Sequence, residues 1–477
     1  LPAGRIDAMP PYLALFIWLF LLLLLLFFDP AKEPKRSVTL WIPLTWMFIM
    51  ATRLPSQWFY GMHEPSASAV IEGGDSVDRT ISLALILLLI GILTARSFNW
   101  SGFFSRNRAL MMFLGFALLS VLWSDYPFVS FKRWFRDLGN YLSILVILSD
   151  PRPLMALRTV FRRLFYILIP LTIVLSKYFP DIGMQWDTWT GAPMFVGPAS
   201  SKNTLGVVCL ISGLFFLWDT VTRWSDRNQR QTRTIILVNM AFFAMTLWVL
   251  HLSNSATSRT CLAFGGLVIL AAHSRTFKRQ PILLEVIVPS VFLLYLFLAF
   301  GLDLKGAFAQ AVGRDPTFTG RSDIWDAVLS IHTNWLVGTG YDCFWLGSRL
   351  DDIWNRPGIG AINEAHNGYL EIYLNLGIIG VVLLIGFLIA VYRTICRRLK
   401  PWTSFASFSF GLWAVAVLYN VTEAAFKFHF MWVTFLAGAL ALPGLADDPV
   451  YRAAAPAKAV APEPFPALPF ETTRSTS

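Results

Sequence analysis

Charge is what this sequence has least of: 14% of its 477 residues are Asp, Glu, Lys or Arg, against roughly 25% in soluble domains. With 56% hydrophobic residues, it carries apolar runs of roughly 15 to 20 residues that no water-soluble core of this size could hide. Those runs are contiguous and lack period-two alternation. That excludes an outer-membrane β-barrel and leaves a bundle of membrane-spanning helices. Cysteine is scarce too. Cys209, Cys261, Cys343 and Cys396 stand alone, without the paired spacing of a zinc or redox motif, so neither metal nor disulfides are expected. No fixed-period repeat is visible, and no paired broken spans of the kind that mark an inverted-repeat transporter.

What is present is a series of candidate spans near 11–28, 38–52, 80–95, 109–122, 137–149, 162–179, 203–221, 234–252, 259–273, 282–301, 368–392, 404–421 and 428–442. The fold class expected is therefore an all-α polytopic membrane protein with about 12 to 13 transmembrane helices. The first run is long, leucine-rich and without a small-residue cleavage site, and reads as a retained anchor. The net charge of +10 falls mostly between apolar runs, which argues for topology and against nucleic acid as a partner. Alternate connections hold the arginines: Lys32, Lys35 and Arg36; Arg96, Arg106 and Arg108; Arg152, Arg158, Arg162 and Arg163; Arg223, Arg227, Arg230 and Arg233; Arg275, Lys278 and Arg279; Arg393, Arg397, Arg398 and Lys400. By the positive-inside rule these are cytoplasmic, and the opposite set, including the long stretch before residue 368, faces outward. The chain divides into N-terminal transmembrane helices (1–301), an outward loop with short helices (302–367), C-terminal transmembrane helices (368–443) and an Ala/Pro-rich disordered cytoplasmic tail (444–477).

Basic residues on the outward side run against the topology rule, so they are where a function is sought. Lys132 and Arg136 sit four apart on one helical face within WSDYPFVSFKRWFRDLGNY, among Trp123, Tyr126 and Trp134. Lys202 (GPASSKNTLG), Arg259 (SNSATSRT) and Arg321 (FTGRSDIW) each stand at an expected helix start. A cation there is locally unfavourable unless an anion is shared with the exposed backbone N–H groups. Each alone reads as an ordinary interfacial anchor; their recurrence on one face points to a diphosphate. Arg259 or Arg321 could grip phosphate oxygens through two parallel hydrogen bonds, with Lys202 as a point charge.

His366 opens the fourth outward feature, INEAHNGYLEIYLNLGIIG. It adjoins a polar stripe in which Asn367, Glu371 and Asn375 recur at i, i+4 and i+8, with Tyr369 alongside. The spacing puts Glu371 about one turn inside the bilayer edge, where an acid pairs or serves a pathway. His366 would accept a proton from a sugar hydroxyl, kept neutral by nearby cations that also stabilise a departing diphosphate. The plain alternative is a histidine at a helix start.

These motifs, WSDYPFVSFKRWFRDLGN, SSKNTLG, NSATSRT, TGRSDIW followed by NWLVGTGYDCFW, and EAHNGYLEIYLNLGIIG, resemble in order the O-antigen ligase and O-antigen polymerase superfamily. In appearance they are closest to its exopolysaccharide-repeat polymerases. The resemblance covers most of the chain. It implies a membrane-embedded, GT-C-like, metal-independent and inverting glycosyltransferase of the bacterial inner membrane, with its active site facing the periplasm and no cofactor. It also implies an undecaprenyl-diphosphate-linked oligosaccharide as donor, a glycan or lipid A core as acceptor, membrane lipids around it, and a chain-length regulator as a candidate partner. On matching positions Arg259 and Arg321 would hold the diphosphate with support from Lys202, Lys132 and Arg136. His366 would activate or position the acceptor hydroxyl, with Asn367, Tyr369 and Glu371 as polar support. One departure is the absence of a proline before the Gly-Thr-Gly turn. The competing readings are an O-antigen ligase acting on lipid core, a lipid-linked oligosaccharide flippase and a scaffold. A flippase needs a site near the bilayer midplane reachable from both sides, whereas the suggestive charges gather at outer span ends.

Overall fold

The computed structural model describes residues 9–29, 38–60, 74–186, 191, 193–297, 321–360, 362–399, 403–427 and 429–442. The expected tail at 444–477 and residues 302–320 of the expected loop lie outside the described residues. The protein is all-α. Each of the thirteen apolar segments coincides with a helix, and the described β-structure is a small antiparallel pair, Met184–Trp186 with Pro193–Phe195.

By length and composition, seven helices among the described residues suffice to cross a membrane: Pro11–Phe28, Ser76–Ala95, Pro153–Tyr178, the helix from Lys202, Arg230–Leu252, Ala256–His273 and Gly368–Leu399. An eighth span forms if the pair bent by 95° at Asn107 counts as one. Two of the other segments fall short for physical reasons. Pro127–Leu148 is long enough but carries Lys132, Arg133, Arg136 and Asp137 in its first half. The helix Phe430–Ala439 is apolar but short, and its side chains are buried inside the bundle, where length is not set by bilayer thickness. The large apolar core joins most of these helices, with Trp218, Tyr166, Phe161 and Phe215 fully buried in it.

Glu371 lies before a break in its helix. The helix Gly368–Leu399 is broken at Gly377, where φ is +63°. The stretch after the break rises about 33 Å at 1.5 Å per residue, enough for the bilayer core by itself. Glu371 and Asn375 therefore sit on a separate short helix before the span. The turn at 335–340 docks on the break: Ile378 N–H donates to Trp335 O (3.0 Å), Thr339 N–H to Leu374 O (3.2 Å) and Gly340 N–H to Asn375 O (2.9 Å). A Cβ on Gly377 would run into the Leu336 carbonyl group, so glycine answers both the left-handed backbone and the close approach.

One end of the bundle gathers the starts of the Lys202, Ala256 and Gly368 helices and the end of Thr403–Tyr419. Near the other end of the Lys202 helix, Asp219 is fully buried and receives Arg162 (2.5 Å), Arg158 (3.1 Å), Arg223 (3.1 Å) and the Asn239 amide (2.8 Å). Lys202 and Asp219 are about 26 Å apart along that helix. Each end of the bundle thus has its own set of polar partners.

Candidate functional site

The chain beyond Tyr419 leaves the helix in a tight turn built around Asn420. Its side-chain Oδ1 accepts from Ala425 N–H (2.8 Å), its amide donates to Ala416 O (2.8 Å), and its backbone O accepts from Gly368 N–H (2.8 Å). Gly368 lies so close that a Cβ would meet the Asn420 side chain. This turn brings Glu423, which is 5% exposed, against the segment that carries His366.

His366 has φ +48°, an uncommon conformation for a residue with a side chain. It persists because both neighbours are fixed. Ala365 N–H donates to Glu371 Oε1 (2.6 Å), and Ala365 O accepts from Trp325 Nε1 (2.8 Å). Asn367 Oδ1 accepts from the backbone N–H groups of Tyr369 and Leu370 (both 3.0 Å), capping the next helix. The polar stripe is spent on this framework. Glu371 also accepts from Trp345 Nε1 (2.9 Å), Asn375 Oδ1 accepts from Cys343 N–H (2.8 Å) and Phe344 N–H (3.0 Å), and Tyr369 donates to Val417 O (3.0 Å). Asn367, Tyr369, Glu371 and Asn375 thus hold the loop that aims His366.

Glu423 is the hub of the site. Its Oε1 accepts from Arg321 Nη2 at 2.7 Å, its Oε2 lies 3.4 Å from His366 Nδ1, and both oxygens are 3.3 Å from Asn203 Nδ2. His366 Nδ1 is also 3.0 Å from Glu364 Oε1, and Lys427 Nζ is 3.5 Å from Glu364 Oε2. The His366 contacts are close but poorly aligned for hydrogen bonding, so they act mainly as charge contacts. Arg321 is 7% exposed, and its Nη1 is buried with no hydrogen-bond partner among the described residues. A buried guanidinium nitrogen in that state costs free energy until an acceptor arrives.

The charge state of His366 differs from the expected one. Nearby cations were expected to keep it neutral. Burial does push its pKa down, but Glu364 and Glu423 outweigh burial and raise it to about 9. His366 is therefore cationic at neutral pH. Glu364 goes well below the usual carboxylate range: burial would raise it, and Lys427 and His366 overcome that. Burial likewise opposes charge on Lys427, yet Glu371, Glu364 and Asp342 hold it protonated. His429, at the start of the last helix, is pushed down to about 4 by burial and is neutral.

The remaining sequence candidates divide. Arg321 and His366 meet on Glu423. Lys202 is the first residue of the helix whose next residue, Asn203, reaches that carboxylate. Arg259 is exposed and donates to Asn254 Oδ1 (3.1 Å); its helix joins the cluster through Thr257, whose Oγ1 is 3.3 Å from that of Thr422. Lys132 and Arg136 belong to a different patch. The Lys132 ammonium lies over the Phe128 ring (4.9 Å), Arg136 Nε is 3.5 Å from Asp137, and Asp137 accepts from Tyr341 Oη (2.5 Å). Between patch and hub is a cavity of about 20 Å³, bordered by Tyr341, Asp342, Phe426 and Lys427 among others. Glu423, Glu364, Asn203 and Lys427 were missed from sequence. The available signal was an acid and a lysine, Glu423 and Lys427, in the short link between two late spans.

Glu364, His366 and Glu423 offer ligand atoms all within 4.8 Å of one another, enough in number for a metal ion. Their charges argue otherwise, because Arg321 and Lys427 already answer the two carboxylates and would repel a cation.

A polytopic helical membrane protein with an acid-bridged arginine and histidine at one end of its bundle is the class that fold and site define. Residues 240–385, a stretch that includes Arg259, Arg321 and His366, match the family described as O-antigen ligase. The exopolysaccharide production protein ExoQ of Rhizobium meliloti (strain 1021) is 28% identical over 309 residues, 61% of this chain. The match spans 65% of that relative's length. The chain is thus similar, over these stretches, to an O-antigen ligase family and to an exopolysaccharide production protein.

Proposed function

We propose that the protein transfers a glycan from an undecaprenyl-diphosphate-linked donor to a sugar hydroxyl on the periplasmic face of the bacterial inner membrane, lengthening exopolysaccharide repeats without a metal. One observation carries this reading: Arg321 gives one arm to Glu423 and keeps the other buried and without a described partner, beside a cationic His366. In the resting protein the Glu423 carboxylate stands where the donor's anion would be wanted. A diphosphate on Arg321 and His366 displaces Glu423 and leaves its oxygens next to the incoming acceptor.

The step then balances. The acceptor oxygen forms a bond to the anomeric carbon and its proton passes to Glu423. The bond from that carbon to the diphosphate breaks, and the departing oxygen keeps the electron pair, its charge held by Arg321 and His366. Attack from the face opposite the leaving group inverts the carbon. Arg259 and Lys202, at neighbouring helix starts, add positive charge along the donor's approach. The second reading keeps His366 as the base; a resting pKa of about 9 makes it mostly protonated at neutral pH, which disfavours that role. A flippase is disfavoured because the cluster occupies one end of the bundle, about 26 Å along the Lys202 helix from the Asp219 set, where a carrier's site belongs near the midplane.

The test is incubation of purified protein with a defined polyprenyl-diphosphate oligosaccharide, alone and with lipid A core, and identification of products by mass. Ladders from the donor alone support a polymerase, and single additions to core support a ligase. Unchanged donor in both tubes, with donor moving between vesicle leaflets, would refute glycosyl transfer.

A further inference from the structure

We infer that a polar pocket at the far end of the Arg321–Ser330 helix binds a sugar ring of the substrate glycan away from the reacting bond; this rests on, and deepens, the glycan-transfer reading. The pocket has a volume of about 220 Å³ and is bordered by residues 328–333, Tyr373 and Leu374. It is smaller than the roughly 300–1,000 Å³ of drug-sized sites, which suits a single ring.

Its chemistry matches a polyol better than an ion. No Asp, Glu, Lys or Arg lines it. In the last turn of the helix Ala327 O already accepts from Ser330 Oγ (2.7 Å) and Val328 O from Ile331 N–H (3.3 Å), so the carbonyls left to accept from hydroxyls are those of Leu329 and Ser330. Thr333 and His332 add side-chain groups that both donate and accept. The half-buried Tyr373 ring supplies an apolar surface for the carbon face of a sugar.

The pocket is fixed relative to the reacting groups. Trp325 Nε1 donates to Ala365 O (2.8 Å) next to His366, and Arg356 Nη1 donates to Ser330 Oγ (2.7 Å). Arg321 and Ser330 are separated by about 14 Å along the helix axis, too far for one ring to touch both. A sugar in the pocket therefore belongs to a later residue of a glycan whose end lies at Arg321. The consequence is a length preference: glycans that reach the pocket are held more tightly than those that do not.

The probe is the set of oligosaccharides released by partial acid hydrolysis of the parent cell's own exopolysaccharide, carrying neither lipid nor diphosphate. Binding to the full-length purified protein is followed by saturation-transfer NMR. Fragments of several sugars should bind, and Thr333→Trp, which fills the pocket, should weaken them at least tenfold. His332→Ala, at an exposed position, removes polar groups with little risk to folding and should weaken them several-fold. Equal binding by wild type and both variants, or no binding by wild type, would overturn the subsite. The product assay above is independent of this one. Pocket-dependent binding without transfer would sink the enzymatic reading alone, and transfer without pocket-dependent binding would sink the subsite alone.

Discussion

Glu423→Gln should separate donor binding from chemistry, tightening the donor's hold while slowing turnover, so that KM and kcat fall together. The amide keeps the shape of the side chain, so Arg321 Nη2, now 2.7 Å from Oε1, still meets an oxygen. What is lost is the pairing of two opposite charges; the hydrogen bond from the still-charged guanidinium, worth about 1.5–3 kcal/mol, remains. The protein should remain folded. Alanine is a poorer choice, because stranding a buried guanidinium costs about 3–5 kcal/mol. With its charge no longer answered, Arg321 should hold a diphosphate more tightly and lower the donor KM. The proton acceptor, however, is gone. The rate should fall by about 10²–10⁴, or about 3–5.5 kcal/mol in the barrier. The assay is initial rate against donor concentration for protein in lipid nanodiscs, with product resolved by mass. An unchanged kcat would refute Glu423 as the acceptor of the proton. A raised donor KM would refute its place as a stand-in for the donor's charge.

His366→Ala should lower product formation at least about a hundredfold in a folded protein, and His366→Lys should recover part of it if the residue acts as a cation; recovery by Lys is not expected of a base. Because the His366 pKa is raised to about 9, the imidazolium and its pairing are fully present below the unfolded value of about 6.5 and are lost as pH rises through about 9. Activity should therefore fall across that upper limb; a rise towards pH 9 would restore the base assignment. Arg321→Lys should keep less than a tenth of wild-type turnover, since Lys loses the forked contact that reaches both Glu423 and the donor, and equal rates would show that charge alone suffices. A chelator such as EDTA should leave initial rates unchanged, and a loss reversed by one divalent ion would establish a metal at Glu364, His366 and Glu423. Gly377→Ala should lower thermal stability by several degrees, its φ of +63° and its contact with Leu336 both opposing a Cβ, and an unchanged melting temperature would remove the break from the account.

The helices were legible because apolar length is a local property: all thirteen segments could be marked from the sequence and all are helical. The counts of spans differ because length alone does not say what a helix faces, and Phe430–Ala439, buried on every side, has no bilayer to match. Gly377 shows the next limit. A glycine inside an apolar helix is common, and only the docking of residues 335–340 on it shows that the helix breaks there and that Glu371 is a framework residue.

The charge of His366 marks the point at which local reading fails. Glu364 is two residues away and could have been weighed; Glu423 is 57 positions further on, in a link that reads as a plain turn between spans. Counting cations on one face pointed to Arg321 and His366 correctly as neighbours, but it left out the acid between them. Cations packed this closely repel unless something negative is shared, so their convergence implied a carboxylate before any substrate arrived. That requirement is where an electrostatic reading of the sequence could have looked for Glu423: the outward links hold several acids, and the link joining the last two helices holds one of them.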